Sequence, residues 1–98
     1  MNINVAKNET ILVLALEGRL DTTTSPQLEQ AINDSADGIT ELVFDMEKLD
    51  YISSAGLRVL LGAQTRMNKQ GSMVVKNVCE DIMEVLEITG FCDSLTIE

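Results

Sequence analysis

Between Leu49 and Gly62 the chain changes its hydrophobic period, and this change constrains the fold more than any other feature. Ahead of it, Ile39-Thr40-Glu41-Leu42-Val43-Phe44-Asp45-Met46 reads as a strand in the interior of a sheet, followed by Glu47-Lys48-Leu49-Asp50. Beyond it, Leu57, Leu60, Leu61, Gln64 and Met67 keep the i, i+3, i+4, i+7 spacing of a helix that buries one face. The switch falls on Ser53-Ser54-Ala55-Gly56, so a helix is predicted to begin close to Ser54.

Both serines are N-cap candidates, because a hydroxyl oxygen can accept from the free N–H groups of a first helical turn. Capping does not account for Gly56, which lies in that turn and costs a helix about 0.8–1 kcal/mol relative to alanine. No capping box is present, since Gly56 and Leu57 stand where Glu or Gln would close one. With small residues from Ser53 to Gly56, the turn is nearly bare of side chain, and a hydroxyl there would be exposed and reachable. Its partial positive charge would also favour an anion. A phosphate on either serine could therefore be accommodated without unfolding the domain. From these residues alone, plain capping and close packing of Gly56 account for the pattern equally well.

The rest of the chain predicts an α/β domain. Ile3 and Val5 alternate with Asn2, Asn4 and Lys7 as in a half-exposed strand. A turn at Lys7-Asn8-Glu9-Thr10 leads to Ile11–Leu16, apolar on both faces, which Gly18 is expected to end. Asp21-Thr22-Thr23-Thr24-Ser25 forms a polar loop, with Ser25 as N-cap and Pro26 at the first helical position. Asp21 in such a loop serves first to order it. Leu28, Ala31, Ile32 and Ser35 carry the helix to Asp37-Gly38. After the central helix come a turn at Gln70-Gly71-Ser72 and a short strand, Met73-Val74-Val75. Asn77 is expected to cap a third helix with Val78, Ile82, Val85, Leu86 and Thr89 inward, and Ser94–Ile97 to add an edge strand. Parallel strands joined by helices place sites beyond their carboxyl ends, where Asp21, Asp45 and Ser54 should converge.

Composition narrows the function. The 98 residues make one domain, 45% apolar and 23% charged, as expected of an ordinary globular chain. Sixteen acidic against seven basic residues give a net charge of −9, which repels nucleic acid and anionic membranes. A transcriptional role would have to be exercised on another protein. The longest wholly apolar run, Ile11–Leu16, is far short of a membrane span and the N-terminus is unlike a signal peptide, so the cytoplasm is expected. Cys79 and Cys92 read as reduced packing residues.

The absence of histidine rules out a Ser–His catalytic pair, and no Ser-x-x-Lys spacing begins at Ser53 or Ser54. Phosphate-loop and dinucleotide glycine motifs are missing too. Asp21, Asp45 and Asp50 could bind Mg²⁺ in a phosphoaspartate receiver, but the acidic pair after the first strand and the late lysine of such a domain are not evident. The expectation is a binding module that is not an enzyme, with no cofactor and no metal.

Ser54-Ala55-Gly56-Leu57, after an aspartate-bearing strand end, resembles the STAS domain of bacterial anti-sigma-factor antagonists. Gly18-Arg19-Leu20-Asp21 looks like that family's strand-to-helix loop, and Thr89-Gly90-Phe91 like the end of its third helix. Ser53 stands where many members have Asp. The resemblance implies one STAS domain over residues 1–98, with a mixed, mostly parallel sheet of about five strands and three or more helices. It places Ser54 on the serine phosphorylated by a partner kinase, with the Asp21 loop beside it. The implied partner is an anti-sigma factor that is itself a serine kinase, with a PP2C-type phosphatase reversing the modification. Asp21, Thr22, Ser53, Ala55, Gly56, Leu57 and Arg58 are then the expected partner-binding residues. An accessory STAS subunit of a lipid-transport ABC complex or a signalling assembly, its serine unmodified, is the alternative.

Overall fold

A computed structural model describes residues 1–98. The elements in order are β1 (Asn2–Asn8), β2 (Ile11–Leu20), α1 (Ser25–Ser35), β3 (Glu41–Ile52), α2 (Ser54–Gln70), β4 (Ser72–Lys76), α3 (Glu80–Thr89) and a 3-10 turn at Phe91–Asp93. Four strands form one sheet in the order β1-β2-β3-β4. β1 runs antiparallel to β2, whereas β2, β3 and β4 are mutually parallel. The fifth strand expected near the C-terminus is reduced to a single bridge between Val75 and Ile97.

The topology follows from loop length. Two residues separate β1 from β2, enough only for a hairpin, and Glu9 takes a positive φ of 57° in the turn. Each parallel step instead requires a crossover, and right-handed crossovers advancing in one direction across a sheet put α1 and α2 on the same face. One cluster of 22 buried residues lies beneath them. Leu12, Leu14 and Leu16 from β2 meet Leu42, Phe44 and Met46 from β3 there, with Leu28 and Ile32 of α1, Leu57, Leu60 and Met67 of α2, and Ile82 and Leu86 of α3.

Covering one face only corrects the expectation that Ile11–Leu16 is buried on both sides. Val13 and Ala15 are half-buried and Ile11 is exposed. β2 also continues through Gly18 to Leu20. Gly18 adopts a φ of +106° where the register between β2 and β3 shifts, so it forms an irregularity within the ladder instead of a stop. β3 likewise runs to Ile52, past the Met46 predicted from its apolar run, because β2 goes on supplying partners.

Two caps differ from expectation. Thr24 takes the N-cap position of α1, and Ser25 is its first helical residue, buried, with its hydroxyl donating to the Asp21 carbonyl. Cys79 precedes α3, while Asn77, at a φ of 59°, donates to Asp45 Oδ1 at 3.0 Å. Val78 and Val85 are half-buried beside Ile82 and Leu86, but Thr89 is exposed, its hydroxyl donating to the Val85 carbonyl. Both cysteines are free and pack against the core. No helix is long and apolar enough to cross a membrane.

Candidate functional site

The last rungs of the β2–β3 ladder position the Ser54 turn. Leu20 pairs with Ile52, and the Ser53 N–H donates to the Leu20 carbonyl at 2.9 Å. Ser53 is still extended, with φ −101° and ψ 174°, and its Oγ accepts from the Gly56 N–H at 3.3 Å. Its carbonyl accepts from the Leu57 N–H at 2.9 Å. Ser53 is therefore the N-cap of α2. Ser54 is the first helical residue, exposed at the end of the sheet where β2 and β3 finish.

Gly56 has a packing reason of its own. A Cβ on it would lie 2.6 Å from Leu20 Cγ and 3.0 Å from Ile52 Cγ1, so only glycine lets the first turn of α2 press onto the two strand ends. Gly56 and Leu57 are both buried, which corrects their place among residues that would touch a partner. They face the core and hold the turn in position. Ser53 and Ala55 are half-buried, and Arg58 is exposed one turn after Ser54.

The neighbouring loop is organised by Asp21. Its Oδ1 accepts from the Thr23 hydroxyl at 2.7 Å, the Thr23 N–H at 2.9 Å and the Thr24 N–H at 3.1 Å. These bonds, the Thr23 hydroxyl foremost, together hold the Asp21 carboxyl below its usual range against the opposing effect of desolvation. The sign follows directly: the contribution of Asp21 to stability is present above its unfolded pKa and disappears as pH falls through the lowered folded value. Thr22 remains exposed on this loop, and between α1 and α2 a groove of about 480 Å³ opens, lined in part by Thr22, Ala55 and Arg58.

Asp45 does not join this site. It pairs in register with Ala15 and Lys76 on the sheet face that carries no helices, and its carboxyl accepts from Asn77 and from the Glu47 N–H. At about 3.3 Å per residue it lies roughly 20 Å back along β3 from Ile52. No three acidic, cysteine or histidine side chains come together as a metal cluster would require. Arg19, noted in the sequence only as part of the Gly18–Asp21 motif, meets Tyr51 at the end of the β2–β3 ladder: the Arg19 guanidinium carbon sits 4.1 Å from the Tyr51 ring centroid. They are register partners because β2 continues past Gly18 to Leu20.

Charge is divided between the helices. The ionisable side chains of α2 are Arg58, Arg66 and Lys69, all cationic, whereas α3 carries Glu80, Asp81, Glu84 and Glu87. Within a chain of net charge −9, the helix that begins at Ser54 is thus the least hostile to an added negative charge.

The STAS domain family model matches residues 2–98. BtrV of Bordetella bronchiseptica, assigned as an anti-sigma factor antagonist, is 38% identical over 93 residues, covering 93% of this chain and 80% of BtrV. The anti-sigma-B factor antagonist of Bacillus subtilis is 28% identical over 98 residues, covering 99% of this chain and 90% of that protein. Among solved structures, the phosphorylated form of the Bacillus cell fate determinant SpoIIAA superposes with a TM-score of 0.77 at 18% identity, covering 99% of this chain and 91% of that one. The sheet order, the two crossovers and the match along nearly the whole chain lead to one conclusion: this protein belongs to the STAS domain family, and its relatives there include anti-sigma factor antagonists.

Proposed function

We propose that the chain is an anti-sigma factor antagonist switched by phosphorylation of Ser54. The unmodified protein docks through the Ser54 turn and the Asp21 loop onto an anti-sigma factor, which then releases its sigma factor. That anti-sigma factor is a serine kinase that transfers phosphate from ATP to Ser54, and a PP2C-type phosphatase restores the free form. The chain is a substrate in this cycle and acts in the cytoplasm, where the sigma factor is. Thr22, Ser53, Ala55 and Arg58 form the rim of the contact, and Asp21 keeps the loop ordered.

The observation that carries this reading is the division of labour between two adjacent serines. Ser53 Oγ is committed to the Gly56 N–H, whereas Ser54 presents its hydroxyl to solvent from the first turn of α2. SpoIIAA, which shares the fold, has been solved in phosphorylated form, in keeping with a switch that leaves the domain folded. A phosphate added at Ser54 brings about −1.5 to −2 charge into a contact that must desolvate, so a few kcal/mol of coupling would weaken binding about a hundredfold.

The test is to incubate wild type, Ser53→Ala and Ser54→Ala with the cognate kinase and ATP. Wild type and Ser53→Ala are expected to take up phosphate and Ser54→Ala to take up none; labelling of Ser54→Ala at the wild-type level overturns the assignment. Calorimetry with Ser54→Asp should show a weakened complex at unchanged fold, and wild-type affinity would remove the charge switch.

A further inference from the structure

Large exposed hydrophobic side chains are few in this chain: Val5, Ile11, Tyr51 and Ile88. Val5 and Ile11 lie in the β1–β2 hairpin at the edge of the sheet, and Ile88 is on α3. Tyr51 alone adjoins the Ser54 turn, three residues before it at the end of β3, and its side of the sheet is the one without helices.

Tyr51 is also held in place. Arg19, its register partner on β2, stacks over the ring at 4.1 Å, and Arg19 Nε lies 3.9 Å from Asp21 Oδ2. Asp21 in turn is fixed by the Thr23 and Thr24 donors that order its loop. An exposed aromatic ring, a guanidinium and the proposed docking loop are thereby joined in one chain of contacts. A stacked pair of this kind at an exposed site adds little to the stability of the domain. In a protein contact it counts for more, because side chains already immobilised lose less entropy on binding, and Tyr and Arg dominate interface hot spots.

We propose that the Arg19–Tyr51 stack is the anchor of the docking face, seated in an apolar cleft of the anti-sigma factor that is flanked by a carboxylate. The cleft covers the exposed part of the ring, and the carboxylate meets the N–H groups that Arg19 turns to solvent, its side chain being 62% exposed. This inference rests on the proposed function: Ser54 switches the contact, and the stack supplies much of its affinity.

The experiment uses the purified anti-sigma factor of the Ser54 assay, with the full chain in each case. Tyr51→Ala is expected to weaken binding at least tenfold, Arg19→Ala several-fold, and Tyr51→Phe less than threefold, while Ile88→Ala leaves it unchanged. Circular dichroism melts should keep all four variants within a few degrees of wild type. Tyr51 is the chain's sole tyrosine, so 3-fluorotyrosine labelling gives one ¹⁹F resonance, expected to shift on saturation with the partner. Wild-type affinity in Tyr51→Ala together with an unmoved ¹⁹F signal overturns the anchor while leaving the Ser54 switch standing. Absence of any complex with wild type overturns both.

Discussion

The starts of α2 and α3 satisfy the same physical demand in opposite ways. Each must deal with unpaired N–H groups and the positive end of a helix dipole. α3 does so with charge of its own: Glu80 and Asp81 lie in its first turn, and Cys79 before it makes no side-chain cap bond. α2 has no acidic residue in its first turn, takes one serine as its cap, and leaves the next serine exposed. One helix end is answered by carboxylates of its own, and the other by a hydroxyl cap with an exposed serine beside it. The start of α1 has neither a side-chain cap bond nor an acidic first turn, so an unanswered dipole alone does not mark a switch; at α2 it is the exposed hydroxyl beside the cap that the proposed switch requires.

The comparison can be tested hardest at the glycines of α2. Gly56→Ala should destabilise the protein by about 1–3 kcal/mol, because its methyl group must displace Leu20 and Ile52. Gly62→Ala, where a Cβ meets nothing within 4 Å, should instead stabilise it by about 0.8–1 kcal/mol. A denaturation midpoint for Gly56→Ala at or above that of wild type would show that the α2 turn is not seated as described. Next in size, Ser53→Ala should cost about 1 kcal/mol through loss of the cap. An unchanged midpoint would mean that Ser53 is not the committed serine, and the contrast with Ser54 would collapse. Smallest are Glu80→Gln and Asp81→Asn, each expected to cost about 0.3–1 kcal/mol, with the loss fading as salt is raised. If neither variant lowers stability at low salt, α3 is not neutralised by its own carboxylates.

Much of this molecule is legible in its sequence where pattern and local chemistry agree. The hairpin, the alternation of strands and helices, and the start of α2 at Ser54 follow from periodicity and from the length of each connection. The caps of α1 and α3 were harder to read, because Ser25 and Asn77 have the right chemistry for capping but are drawn into other bonds, to the Asp21 carbonyl and to Asp45. The ends of β2 and β3 are not legible locally, because each strand is extended by its neighbour. Gly18 looks like a stop until the partner strand that carries the ladder past it is known. The pairing of Arg19 with Tyr51 is illegible for the same reason, since it is a property of the ladder.

By itself the sequence determined the order of elements, the acidic balance and the presence of two hydroxyls at a helix start, because these depend on neighbours within a few residues or on plain counting. Tertiary structure decided which hydroxyl is spent and which is free, that Gly56 serves packing against Leu20 and Ile52, and that Asp45 lies far from the Ser54 turn. The cap bond from Gly56 to Ser53 is local, but the Ser53 N–H bond to Leu20 that ends the strand there, the packing of Gly56 and the placing of Asp45 bring together distant parts of the chain. Burial and register assign residues of the same chemical type to different tasks, and neither is specified by local sequence.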